Sequence, residues 1–333
     1  MGYFLPDAET DLWGERVDAD YENLRAGLRW SLEHDRKSVK SVEDGLRLAA
    51  NLHWFWFARG RFDDGRLWLG RLLEVSDHVQ PETRARAALT AGYLACWQGD
   101  YESGEPLLDE ALSLFRQAGD DPGVGFALHG LGFVAMGRGN GPQSGARFEE
   151  ALKQAELIGD DWLGSFAEHF LAIALTYSED YPAALSHFEA GNLLLEGLGG
   201  HRQGLAFSLF HQGRIARLQG DQSTAVSRHI RGLELFRDAG DLRGLGYSLS
   251  GLAVLSAAQG EMERAGRLFG AVESIRAVLG SFLEVPLQME YDHHLWRARD
   301  SLGDEAFENA RADGMGWDLD QAVDYALSSA PRD

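Results

Sequence analysis

The chain has 333 residues, 44% of them hydrophobic, with 40 Gly, 8 Pro and a formal net charge of −21, so it can build a continuous core and does not have the composition of a disordered linker. Its acidity argues against direct nucleic-acid binding and favours a basic partner or simple solubility. Cys96 is the only cysteine, which excludes an intramolecular disulfide and a Cys-based zinc site; together with an N-terminus unlike a signal peptide and the absence of a membrane-length apolar run, this sets a cytoplasmic expectation.

Residues 1–10 read as a lead-in. From about Thr10, Leu12, Val17, Tyr21, Leu24, Leu28 and Leu32 form one apolar stripe, which predicts a helix. The polar run Glu33 to Ser41 is a connector. A first repeat starts near Val42, with an aromatic first helix, DGLRLAANLHWFWFARG, and a second that places Phe62, Leu69, Leu72 and Leu73 together. Pro81 opens the second repeat, in which Gly92 permits close helix approach, Gly99-Asp100 turns the chain and Asp100 caps the next helix. The third repeat begins at Asp121-Pro122, an N-cap followed by proline at the first helical position.

One turn marker recurs at Gly60, Gly99, Gly139, Glu179, Gly220 and Gly260, at intervals of 39, 40, 40, 41 and 40 residues. A second marker closes the units at Gly119, Gly159, Gly199, Gly240 and Gly280. Small residues that let helices approach and large ones that fill the gaps recur on the same clock: Leu131-Gly132, Phe148 and Ala151; Leu171-Ala172, Ala184 and Phe188; Gly213 and Ala225; Leu252-Ala253, Ala265 and Phe269. This predicts an all-α, right-handed α-solenoid of about six forty-residue tetratricopeptide-like helix pairs spanning 42–282. Residues 1–41 form an N-terminal lead-in and capping helix, and 283–333 a C-terminal helical cap with helices starting near Pro286, Asp304 and Leu319. The period exceeds the usual ~34 residues, which adds most of a turn to each helix.

These stretches resemble the tetratricopeptide sensor region of bacterial signal-transducing ATPase regulators, the large LuxR-type and SARP-type activators. The likeness lies in Tyr21 to Glu33, in Gly45 to Leu72 with its Trp54-Phe-Trp-Phe-Ala-Arg-Gly60 run, in Arg264 to Ala271, in Leu302 to Phe307 and in Leu319 to Leu327. The resemblance implies a repeat array that senses a small molecule or partner protein and controls a neighbouring ATPase and DNA-binding domain. No GxxxxGK[ST] motif is present, so the ATPase chemistry of that family is assigned to no residue here.

The sequence offers little catalytic machinery. Adjacent His293 and His294 point about 100° apart on a helix, a poor metal pair. No base is set in register with Cys96. The expectation is therefore a non-catalytic chain with no cofactor and no metal. Stepping back from each turn marker in register gives a face formed by the first helix of each pair. It carries Trp54, Phe57, Tyr93, Trp97, Phe126, His129, Phe133, Phe166, His169, Tyr177, Phe207, Phe210, Arg214 and Arg217. Two readings of this face stand: an aromatic binding groove, or core between repeats. Arg214 and Arg217, at i and i+3, can hold a carboxylate or phosphate of a ligand, or pair with a carboxylate of the chain. The expected occupant is a small apolar or aromatic ligand, or a peptide segment of a regulatory partner. The competing expectation is an assembly scaffold that binds another protein or forms a homodimer, with no small-molecule ligand.

Overall fold

The computed structural model describes residues 7–33, 38–279 and 283–328, and among them all regular structure is α-helical. The start of the lead-in, the side chain of Leu12, the middle of the polar connector and the marker Gly280-Ser281 lie outside the described residues. The chain forms two compact units, Met1–Ser178 and Glu179–Asp333. The first holds α1 (Asp7–Glu33), α2 (Val39–Asn51), α3 (His53–Ala58), α4 (Phe62–Leu73), α5 (Pro81–Trp97), α6 (Tyr101–Ala118), α7 (Asp121–Gly137), α8 (Gly141–Ile158) and α9 (Asp161–Tyr177). The second holds α10 (Tyr181–Gly197), α11 (Arg202–Leu218), α12 (Gln222–Asp238), α13 (Leu242–Ala258), α14 (Met262–Leu279), α15 (Val285–Leu302), α16 (Asp304–Met315) and α17 (Leu319–Leu327).

One turn chemistry sets the spacing. α6 ends on Gly119 at φ 67°, in the left-handed region, and the next residue already caps α7. The Asp120 N–H donates back to the Phe115 carbonyl at 3.0 Å, while the Asp120 carboxylate accepts from the Gly123 N–H at 3.0 Å. The backbone bond closes one helix as a Schellman motif and the side chain opens the next. Asp100, Asn140, Asp160, Asp221 and Asp241 repeat the arrangement. A Cβ at Gly99, Gly119, Gly139, Gly159, Gly199, Gly220, Gly240 or Gly260 would meet open space, so the selection there is for the left-handed backbone and not for room. Among the described residues, Glu179, at φ 62°, is the one non-glycine residue at such a position.

The two helices of a pair are buried differently. In α7 every residue from Gly123 to Gly137 is buried. α8 buries only Ser144, Phe148, Ala151 and Ala155, a single stripe at helical spacing. Large residues in one slot of the second helices fill the core: Leu108, Phe148, Phe188 and Phe269 are all fully buried, one per repeat.

Two local expectations are corrected. The aromatic first-repeat helix is not continuous: it breaks at Leu52 into α2 and α3. The break lets the Trp56 ring lie over Gly65, where a Cβ would collide at 2.5 Å, and brings its indole N–H within 3.3 Å of the Tyr21 hydroxyl of α1. The polar connector also ends earlier than expected, because Ser38 caps α2 by accepting from the Ser41 N–H at 3.1 Å. Beyond the six repeats, α15 keeps the forty-residue register: Leu287, Glu290 and Tyr291 follow Tyr247, Ser250 and Gly251 by forty positions and pack within the second unit.

Thermal or urea unfolding checks the turn chemistry. Asp160→Ala is expected to cost about 1 kcal/mol, the usual worth of an N-cap. Glu179→Gly is expected to stabilise by up to about 1 kcal/mol by relieving a left-handed L-residue.

Candidate functional site

In the first unit the predicted aromatic residues pack on one another. Phe57 and Trp97 have ring centroids 4.3 Å apart, Trp54 stacks on Phe57 at 5.0 Å, and Tyr93 meets Trp97 at 5.5 Å. The Tyr93 hydroxyl lies 2.8 Å from both the Phe126 carbonyl and His129 Nδ1. One arrangement satisfies both contacts: the hydroxyl donates to the carbonyl and accepts from Nδ1–H, which leaves Nε2 bare. His129 is ringed by Phe148, Phe166 and Phe170, and burial pushes it down to about 3, so it is neutral.

Of the fourteen predicted site residues, Tyr93, Phe126, His129, Phe133, His169 and Phe210 are buried. Trp54, Phe57, Trp97, Phe166, Tyr177, Phe207, Arg214 and Arg217 are partly buried, and none is fully exposed. Among the described residues no group of His, Cys, Asp and Glu is placed to hold a metal ion. Cys96 is buried, and burial pushes its thiol up to about 12, far from a thiolate at neutral pH.

The second unit brings charge and aromatic surface together. Arg214 and Arg217, both on α11, converge on one carboxylate, that of Glu290 on α15. Arg214 Nε lies 2.7 Å from Glu290 Oε2, and Arg217 Nη2 contacts Oε1. The three side chains are only 11–17% exposed. They reach one another past α13, which presents the small residues Ser250, Gly251 and Val254 at that level. Phe210, Leu287, Tyr291 and His229 complete a pocket that leaves about 20 Å³, room for a water molecule. Burial and the neighbouring Arg214 pull the Arg217 guanidinium down to about 10, still protonated at neutral pH, and Glu290 offsets their repulsion.

His229 is the anomaly in this pocket. It sits forty-one residues after Phe188 and forty before Phe269, in the slot that the neighbouring repeats fill with Leu or Phe. Its ring lies between Gly213 and Gly251, where a Cβ would come within about 3 Å of it. It is 1% exposed, and its Nδ1 has no hydrogen-bond partner. Burial, and secondarily Arg217, push it down to about 3. His294, one turn beyond Glu290 on α15, is also held neutral by burial and by the nearby Arg217.

Reading the residues in register singled out Arg214 and Arg217 but missed Glu290, His229 and Tyr291. Two signals point to them. Carrying the register past Gly280 sets Glu290 in line with Ser250, and comparing the second-helix slots singles out His229 as the polar member.

Comparison with known proteins places the array. No protein-family model matches the chain. Aligned over 155 positions that cover 44% of the chain, it is 28% identical to proteins named as HTH-type transcriptional regulators in Mycobacterium tuberculosis and Mycobacterium bovis, and the match spans 17% of their length. In structure, the chain is similar to a Rap protein crystallised with competence and sporulation factor (TM-score 0.63, 13% identity, 98% of this chain and 97% of that one). It is also similar to the quorum sensor NprR of B. thuringiensis in its apo form (TM-score 0.51, 15% identity, 97% and 91%). The fold is therefore an all-α helical-repeat array of tetratricopeptide type. Among the described residues no helix is long and apolar enough to cross a membrane.

Two outcomes follow for the pocket. Glu290→Ala leaves two largely buried guanidiniums without this carboxylate, and is expected to cost about 3 kcal/mol in chemical denaturation. His229→Phe restores the residue type of the neighbouring repeats and removes an unsatisfied polar atom, so it is expected to stabilise by about 1 kcal/mol at neutral pH. It also acts on the acid side. Unfolded histidine takes up a proton below its ordinary pKa of about 6.5. Folded His229 does so only near 3, so the wild type loses stability as pH falls between these values. The variant is expected to lose up to one proton from that slope, about 1.4 kcal/mol per pH unit, which stability curves at pH 7, 5.5 and 4.5 measure.

Proposed function

We propose that the chain is a non-catalytic sensor module of a bacterial transcriptional regulator, binding a small aromatic or apolar ligand or a peptide segment on the first-helix side of its repeats. The observation that carries this reading is the pocket of α11, α13 and α15. There an otherwise apolar repeat surface gathers two guanidiniums and a histidine whose Nδ1 has no hydrogen-bond partner beside Phe210 and Tyr291. Buried polar groups are costly in a core that Leu and Phe fill in neighbouring repeats, and they are the groups that orient a ligand in a mostly apolar pocket. The mycobacterial relatives named as transcriptional regulators, and the structural likeness to a Rap protein crystallised with competence and sporulation factor, support the regulatory assignment. Phe207, partly buried and edge-on to Tyr247 at 5.9 Å, extends the recognition surface outward from the pocket. With a net charge of −21, the chain leaves DNA contact to other parts of such a regulator.

A second reading, assembly, is favoured by one observation. Val285, Met289 and Trp296 are 50%, 68% and 62% exposed and lie within about 40° on one face of α15. Such a stripe suits a second copy of the chain or another protein, and light scattering across a concentration series separates a homodimer from a monomer.

The sensor reading is tested by thermal-shift screening of the whole chain against short peptides and small aromatic acids. A hit is expected to raise the melting temperature of wild type. Phe207→Ala and Arg217→Met should each weaken binding at least about tenfold, as loss of a buried contact does, and Trp296→Ala should leave it unchanged. Equal affinity in all three variants contradicts the assignment.

A further inference from the structure

We propose that Arg214 and Arg217 form a carboxylate-recognition site that Glu290 keeps filled, and that the carboxylate of a ligand takes the place of Glu290. The inference rests on the reading of the second unit as a ligand-binding surface and names the ligand's chemistry and the contact it displaces.

Three observations carry it. First, the two guanidiniums, one turn apart on α11, converge on a single carboxylate, each holding one of its two oxygens through a charge-assisted contact. Glu290 shows that a carboxylate fits and which oxygen faces which arginine. Second, that carboxylate comes from α15, beyond the intervening pair α13 and α14, and reaches α11 past Ser250, Gly251 and Val254, side chains too small to fill the intervening space. The space beside it is about 20 Å³, too little for a second carboxylate between the two arginines, so an anion that binds them takes the place of Glu290. Third, an ion pair with a purely structural role does not need His229. A phenylalanine in that slot seals the neighbouring repeats, whereas here an imidazole that is 1% exposed lines the same pocket, and its Nδ1 has no hydrogen-bond partner. A ligand that carries a hydroxyl or an N–H next to its carboxylate replaces the Glu290 carboxylate and supplies the one interaction that His229 lacks. It offers an anion to the arginines and a hydrogen-bonding group to His229. An α-hydroxy or α-amino acid has that chemistry, and so does the C-terminal residue of a peptide through its amide N–H.

Glu290→Gln keeps the size of the side chain and removes its charge. The whole chain in wild-type, Glu290→Gln and Glu290→Gln/Arg217→Met forms is melted in sodium lactate, sodium acetate or sodium chloride at equal ionic strength. Lactate and acetate are expected to raise the melting temperature of Glu290→Gln saturably by ~3 °C or more above chloride, lactate at lower concentration than acetate. The wild type, whose site is filled, should need at least about tenfold more lactate, and the double variant should not respond. An equal response of all three forms, or none in Glu290→Gln, overturns the proposal. Calorimetric titration of lactate into wild type and His229→Phe gives an independent reading should Glu290→Gln not fold. Saturable heat weakened at least about tenfold in His229→Phe supports the proposal, and no saturable heat in wild type overturns it. Competition by a tripeptide with a free C-terminus, but not by its amide, assigns the carboxylate to a peptide end; equal failure of both leaves the free acid as its source. Rescue of Glu290→Gln by lactate without any screening hit on wild type leaves the carboxylate site standing and removes the sensor reading.

Discussion

A left-handed residue followed at once by an aspartate governs the geometry of the array. The glycine ends one helix, and the next residue uses its N–H to close that helix and its carboxylate to start another. With no slack between helices, the turn fixes the helix-to-helix step at about twenty residues, and a side chain at one position in a helix recurs at the same level forty residues later. Equivalent slots therefore face equivalent neighbours, and a residue that departs from its slot stands out against the others.

This consistency gives the departures of the second unit their meaning. First helices such as α7 are buried on every side, so a polar group placed there must be satisfied within the array. Arg214 and Arg217 occupy levels at which other repeats carry residues such as Phe133 and Met136, and His229 occupies a level of Leu and Phe. These substitutions concentrate in one place. They meet Glu290, which α15 supplies because it continues the forty-residue step beyond the sixth repeat. The turn chemistry that sets the register thus also brings together charges separated by 76 residues.

Most of the architecture is legible in the sequence because its determinants are local. The positive-φ glycines, the caps and the 3.6-residue stripes each depend on a few adjacent residues. The break at Leu52 was not legible, because it depends on Trp56 finding Gly65 and Tyr21, contacts distant in sequence. The face formed by the first helices was legible as a set of residues but not in its burial. Periodicity places Tyr93, Phe126 and His129 on one side of their helices, yet only the packing of successive pairs puts the Tyr93 hydroxyl against the Phe126 carbonyl and the His129 ring. Arg214 and Arg217 were legible as an anion-holding pair, while their carboxylate lay beyond the point at which the repeat pattern fades to the eye.

The account turns on whether the arginines of α11 and the glutamate of α15 act as one unit. A double-mutant cycle of Arg217→Met and Glu290→Gln, read by chemical denaturation, measures this directly. The account predicts a coupling energy of about 2 kcal/mol, as expected for contacting, largely buried charges. Additivity within ~0.5 kcal/mol would contradict it.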